Sequence, residues 1–125
     1  MAYVTITDLE LHVLELKNLC RTETQTDYEA LLTSFIAKAE AMINVYVSDI
    51  PEKTPELIKQ ITIDLVEYYV YRRADGDKIP EKVKESFETA KEILQKIKDG
   101  EIILTNTTPS ISEAPLIESE YDKVF

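Results

Sequence analysis

The sequence predicts an all-α fold, with about four helices around a central apolar helix and an extended C-terminal tail. Only two of the 125 residues are glycines, and long segments keep an uninterrupted apolar period of 3.6 residues. Proline, glycine or capping residues bound these segments, whereas a β fold would need more frequent turns. We therefore divide the chain into a helical domain, 1–104, and a flexible or partner-docking tail, 105–125.

The central helix is predicted from Pro55 to Arg73. On a helical wheel its apolar residues cover roughly two thirds of the circumference, whereas a surface helix needs a stripe only about 100° wide. Gln60, Asp64 and Glu67 share the remaining polar strip. We therefore expect other helices to cover this segment on several sides.

A first helix is predicted from Asp8 to Leu19, because Thr7–Glu10 has the spacing of a capping box. Four apolar residues follow at helical spacing: Leu9, Val13, Leu16 and Cys20. Apolar and polar residues also alternate between Leu9 and Val13, so a strand stays open as an alternative for this segment.

A second helix is predicted from Asp27 to Val47, with capping-box spacing at Thr26–Glu29. Apolar residues from Tyr28 to Tyr46 fall on one of its faces. The link that follows, Ser48–Pro55, is short, so the second helix and the central helix should be neighbours.

The last helix is predicted from Pro80 to Lys98, after a turn in which Gly76 is free to take a positive φ. Gly100 stands where a C-terminal cap belongs. The apolar residues of this helix form a single stripe: Val83, Phe87, Ala90, Leu94 and Ile97. Charged residues fill its other face.

The composition is acidic, with 24 acidic and 14 basic residues and a formal net charge of −10. Such a chain should repel nucleic-acid phosphates rather than collect on them. Cys20 is the single cysteine, which rules out an intramolecular disulfide and suits a reducing cytoplasm. No secretion signal or membrane-spanning run is evident, so we expect no membrane association.

No pattern of residues points to catalysis, so we predict that the protein is not an enzyme and that it has no catalytic, cofactor-binding or metal-binding residues. His12 is the single histidine and is expected at the surface or in packing. Cys20 ends an apolar stripe and is expected to be a small buried hydrophobe. Glu-x-x-His pairs, zinc-ligand spacing and a glycine-rich phosphate loop are all missing from the sequence.

Two further features have a functional and a structural interpretation. Asp64 is either a solvated member of its polar strip or a polar anchor, bonded to a helix end or to Arg72 or Arg73. In the tail, the apolar residues Tyr121, Val124 and Phe125 are predicted to bind a partner, because a merely solvated tail does not need them.

The order of these segments resembles a family of small helical proteins of Mu-like phages and prophages, related in outline to head–tail connector adaptors. The start Tyr3–Leu9 and the segment Ala39–Tyr46 are similar to that family's motifs. The central helix matches its pattern at these residues: Pro55, Ile58, Ile61, Asp64, Leu65 and Tyr68. The last segment matches at these: Val83, Phe87, Ala90, Leu94, Ile97, Gly100, Ile102 and Leu104. The chain departs from the family at Ser86–Phe87, where an Arg-Tyr pair is usual, and in its shorter link after the second helix.

The resemblance implies a structural protein of the virion or of virion assembly, without catalytic residues and without cofactors. Its expected partners are copies of itself in a ring and neighbouring phage structural proteins, such as the portal or a tail-side connector. DNA would pass the ring without being specifically bound. The expected location is the virion, after synthesis in the cytoplasm of the host bacterium. The alternative is a non-enzymatic helical adaptor or regulatory domain that binds one protein partner.

Overall fold

The computed structural model describes residues 3–48, 50–51 and 53–104, and these residues form helices joined by short links. Within them the chain has five helices: α1 (Ile6–His12), α2 (Leu16–Cys20), α3 (Gln25–Tyr46), α4 (Glu56–Asp75) and α5 (Glu81–Lys98). The all-α prediction is confirmed. None of the helices among the described residues is long and apolar enough to cross a membrane.

α4 is the central helix, as predicted, because each of the other four helices packs against it. Its inward residues are almost completely buried: Ile58, Ile61, Leu65, Val66 and Val70. Thr62 lies among them, and its hydroxyl donates a hydrogen bond of 2.7 Å to the carbonyl oxygen of Ile58. The polar group is thereby satisfied within the helix.

The prediction of one continuous first helix from Asp8 to Leu19 is wrong, because the helix is broken between His12 and Leu16. Val13 is extended, with φ −103° and ψ 112°, and Glu15 has a left-handed backbone with φ 55°. Leu9, Val13, Leu16 and Cys20 are nevertheless all buried. The periodicity therefore identified the inward residues, but tertiary packing decides the path of such a short segment.

Both capping predictions were displaced by two residues. α1 begins with a capping box between Thr5 and Asp8, in which Asp8 N–H donates to Thr5 Oγ1 (3.1 Å) and Thr5 N–H donates to Asp8 Oδ2 (2.8 Å). In α3, Asp27 N–H donates to Thr24 Oγ1 at 3.0 Å. Each helix thus starts at a Thr-x-Thr-Asp sequence, where the earlier threonine caps and the aspartate lies favourably in the first turn.

The two prolines sit one position earlier than predicted, since Pro55 and Pro80 are the N-cap residues of α4 and α5 rather than their first helical residues. At the other end of α5, Gly100 has φ +83°. Its N–H donates to the carbonyl of Ile97 (3.1 Å), and that of Glu101 donates to Lys96 (2.9 Å). These two bonds make a Schellman motif, so the glycine cap is confirmed.

Two arginines tie the end of α2 to the end of α4. Arg73 donates to the carbonyl oxygen of Cys20, and Arg21 donates to that of Ala74 at 3.3 Å. A carbonyl oxygen at the end of α2 and one at the end of α4 thus each accept a hydrogen bond from an arginine of the other segment. Carbonyl groups in the last turn of a helix lack partners within the helix, and these arginines supply them. The five-residue helix α2 is held in place by this exchange and by its buried side chains.

Candidate functional site

The predicted partner-binding residues Tyr121, Val124 and Phe125 lie outside the described residues, so their role stays a prediction. The chain leading to them is described as far as Leu104, which packs against the core. A groove borders this last stretch between the end of α3 and the end of α5. It is lined by Tyr46, Val47, Ser48, Ile97, Lys98, Gly100, Ile102, Ile103 and Leu104.

Asp64 lies half-buried on α4, where its Oδ1 accepts a hydrogen bond of 3.0 Å from Gln60 Nε2. Burial raises the pKa of Asp64, while the bond from Gln60 and the charge of His12 act in the opposite direction. Arg73, one of the proposed partners of Asp64, donates to Cys20. Whether Asp64 acts as a structural anchor therefore remains a prediction.

Asp64 forms a cluster with His12 and Glu67. One ligand-capable atom from each residue, an imidazole nitrogen or a carboxylate oxygen, lies within 4.8 Å of the other two. His12 is exposed at the end of α1, and Glu67 is half-buried one turn after Asp64. Burial raises the pKa of Glu67, His12 lowers it and the neighbouring Asp64 raises it again. Three groups with metal-binding chemistry thus converge from two helices.

No metal ligands are predicted from the sequence, and the cluster of His12, Asp64 and Glu67 appears only in the folded structure. The sequence does show that Asp64 and Glu67 are three residues apart, a spacing that puts two carboxylates on one face of a helix. The position of His12 beside them depends on how α1 packs against α4. No local pattern in the sequence contains that information.

A shallow groove adjoins the cluster between α1 and the first half of α4. Its lining mixes apolar, acidic, basic and amide side chains: Val4, Asp8, Leu11, His12, Glu56, Lys59, Gln60 and Ile63. Leu11 is 82% exposed, and Leu14 in the turn that follows is 84% exposed. α1 and the turn after it therefore carry two large apolar side chains that the described residues leave uncovered.

Cys20 is buried and free, as predicted. Burial raises the pKa of its thiol, and the charge of Arg73 offsets part of that effect. Since the thiolate is the reactive form, a buried thiol with a raised pKa has the character of a packing residue.

Two tyrosines of α4, Tyr68 and Tyr69, pack against the rest of the fold. Tyr69 is buried, and Tyr68 stacks on Phe87 of α5 with ring centroids 3.9 Å apart and planes inclined by 12°. Lys38 and Lys91 cover this aromatic cluster, lying 4.5 Å from the Tyr69 ring centre and 4.9 Å from that of Phe87. Tyr69 thus belongs to the core, and the half-buried Tyr68 packs against it.

Comparison with protein families gives a match to the family described as Bacteriophage Mu, Gp36, over residues 3–116. The chain belongs to this family. The Gp36 match includes all five helices and continues beyond Leu104 into the tail. It therefore places the helices and the residues up to 116 in a family of phage proteins. No curated protein and no solved structure matches the chain.

Proposed function

We propose that this Gp36-family protein is a structural, non-enzymatic subunit of a phage head–tail connector ring that acts in virion assembly. The observation that carries the proposal is the family match over residues 3–116, which covers most of the chain. In this proposal the protein is made in the cytoplasm of the host bacterium and becomes part of the virion. Its partners are other copies of itself and adjacent structural proteins, such as the portal or a tail-side connector.

Exposed apolar side chains support an assembly role. Leu11 lies on α1 and Leu14 in the turn after it, while Val45 on α3 and Ile103 after α5 are 74% and 82% exposed. Single exposed apolar residues are common on any protein surface. Here, however, Leu11 lines the groove between α1 and α4, and Ile103 lines the groove at the end of α5. We assign these two surfaces to contacts between subunits.

The tail supplies the second proposed contact. Tyr121, Val124 and Phe125 would anchor residues 105–125 on a neighbouring protein. In this proposal the helical domain folds by itself and the tail binds the neighbour. A Schellman motif at Gly100 closes α5, and Leu104 packs against the core. Removal of the tail should therefore leave the helical domain folded.

The acidity of the chain suits a ring that DNA traverses. Basic residues that neutralise phosphates release counterions and so strengthen binding, whereas an acidic lining lets the duplex pass. Four exposed glutamates recur on α5 at spacings of three and four, so they form one row, and exposed lysines of the same helix flank it: Glu81, Glu85, Glu88 and Glu92, with Lys82, Lys84, Lys96 and Lys98. Because Asp64 and Glu67 are half-buried near His12, we assign the lining to α5 rather than to the strip on α4.

The test is the assembly state of untagged protein, determined by native mass spectrometry and negative-stain imaging, alone and with the proteins encoded beside it. We expect closed rings, either spontaneous or induced by a neighbour. A variant truncated after Leu104 should keep its helical circular dichroism and assemble less well. A Leu11→Ser/Leu14→Ser variant should also assemble less well, whereas Glu88→Gln, an exposed change on α5, should not.

A monomer that binds one partner at 1:1, with no ring under any of these conditions, would overturn the connector proposal and favour the adaptor alternative. Equal assembly of the truncated and the full-length protein would overturn the docking role of the tail. The DNA hypothesis has its own test, since reversing Glu81, Glu85, Glu88 and Glu92 to lysine should impair DNA ejection from assembled particles. Normal ejection from such particles would contradict it.

A further inference from the structure

His12, Asp64 and Glu67 are brought together by the packing of α1 on α4. Their ligand-capable atoms lie within 4.8 Å of one another, although His12 and the two carboxylates are far apart in the sequence. The two carboxylates are less than fully exposed, in contrast to the acidic residues that decorate α5. Two partly desolvated carboxylates side by side repel each other, and a cation between them removes that repulsion.

The surroundings of the cluster have the features of a coordination site. His12 is exposed, whereas Asp64 and Glu67 are half-buried, so an ion held by these three residues would remain accessible to water. The Gln60 amide donates a hydrogen bond of 3.0 Å to Asp64 Oδ1. Such a bond orients a ligating carboxylate in the way that outer-shell partners of known metal sites do.

We propose that His12, Asp64 and Glu67 form an open site for a divalent transition-metal ion, with Zn²⁺ as the best match. An imidazole nitrogen with two carboxylate oxygens suits a borderline ion, whereas Ca²⁺ and Mg²⁺ prefer all-oxygen ligands. Zinc bonds of about 2.0–2.2 Å put tetrahedral ligands roughly 3.5 Å apart. The side chains would therefore draw together by about an ångström, and water would complete the coordination.

The bound ion would link α1 to α4 next to the break at Val13–Glu15. α1 has seven residues, and its last one supplies the imidazole ligand. Metal binding should therefore stabilise the N-terminal part of the fold more than α5, which contributes no ligand. This role is independent of whether the protein forms a connector ring.

The site can be tested directly because His12 is the single histidine of the chain. Its ring protons give one unambiguous pair of NMR signals. Titration of untagged, chelator-stripped protein with ZnCl₂ should shift these signals saturably at one equivalent and raise the melting temperature. CaCl₂ and MgCl₂ at the same concentrations should move them little.

The variants Asp64→Asn and Glu67→Gln keep the size of each side chain, and we expect each to weaken Zn²⁺ binding at least tenfold. The matched control is Glu88→Gln/Glu92→Gln, which makes the same kind of charge change on the exposed face of α5 and should bind as the wild type does. Cys20→Ala should also leave binding unchanged. Far-ultraviolet circular dichroism checks that each variant is folded.

Two results would overturn the proposal. The first is an absence of any Zn²⁺-dependent change in the His12 signals of the wild-type protein, a measurement that needs no variant. The second is an undiminished change in the Asp64→Asn/Glu67→Gln double variant, which would mean that the imidazole binds zinc without the carboxylates.

Discussion

The Tyr28 hydroxyl on α3 donates a hydrogen bond of 2.8 Å to Oε2 of Glu10 on α1. Tyr28 is 1% exposed, whereas Glu10 lies at the surface. The bond therefore runs from the core to the solvent boundary and fastens the short first helix to the 22-residue helix α3.

Tyr28→Phe removes this hydrogen bond and keeps the buried ring. We expect the free energy of unfolding at pH 7 to fall by about 0.5–1.5 kcal/mol, since the Glu10 carboxylate stays hydrated after its partner is lost. Urea denaturation measures the change. Tyr71→Phe is the matched control, because its hydroxyl makes no hydrogen bond to another described residue. An equal loss in both variants would contradict the role of the bond.

The same tyrosine predicts a loss of stability at alkaline pH. Burial, followed by the hydrogen bond to Glu10, raises the pKa of Tyr28 above its ordinary value. In the unfolded chain this phenol ionises near pH 10, so the folded state is the one that binds the proton more tightly. Stability is therefore fully present below about pH 10 and decreases as the pH rises further. Between pH 8 and 11, the urea concentration at the midpoint of unfolding should fall less steeply with pH for Tyr28→Phe than for the wild type. Equal slopes for the two proteins would contradict the prediction.

Core burial predicts a large difference between two leucines. Leu65 is 0% exposed at the centre of α4, whereas Leu11 is 82% exposed on α1. Leu65→Ala should lower the free energy of unfolding by about 2–5 kcal/mol, and Ile61→Ala should have a similar effect. Leu11→Ala should change it by less than about 0.5 kcal/mol. A loss below about 1 kcal/mol at both core sites would mean that α4 is not the centre of the fold.

The start of α3 predicts different effects for two neighbouring threonines. Thr24→Ala removes the hydroxyl that accepts from Asp27 N–H and should cost about 1 kcal/mol of stability. Thr26→Ala, in the first turn, should have little effect. Thr5→Ala and Thr7→Ala form the equivalent pair in α1. A greater loss at Thr26 than at Thr24 would favour the capping position two residues later.

Gly100 predicts a purely conformational effect. A Cβ built at this residue meets no atom within 4 Å, but φ is +83°. Gly100→Ala should therefore destabilise the protein by about 1–2 kcal/mol through backbone strain alone. Gly100→Asn should cost less, because asparagine adopts positive φ more readily. Thermal unfolding of both variants measures the difference, and an unchanged midpoint for Gly100→Ala would argue against the Schellman turn.

Most of the core could be predicted from the sequence because apolar spacing directly reflects which side chains face inward. Leu9, Val13, Leu16 and Cys20 were all identified as one stripe, and all four are buried. The break between α1 and α2 could not be predicted. Glu15 carries no local signal for a left-handed backbone, and the break depends on contacts that α2 makes with α3 and α4.

The helix starts show a different limit of sequence reasoning. Each of the two sequences offers two threonines two residues apart, and a glutamate three residues after the later one favoured the wrong choice. In α3 that glutamate, Glu29, accepts from Gln25 instead. The grouping of His12 with Asp64 and Glu67 was hidden for a third reason, namely that it arises only when two distant helices pack together.

The Schellman turn at Gly100 gives the fold a fixed point of departure for the rest of the chain. The turn is followed within a few residues by Leu104, which packs against the core, so Leu104 is held in one defined place beside the end of α3. In a closed ring, rotational symmetry would repeat that place once per subunit on a single circle. A neighbour that binds the residues beyond Leu104 would then meet evenly spaced attachment points, and a partner with matching symmetry would be engaged by every subunit at once.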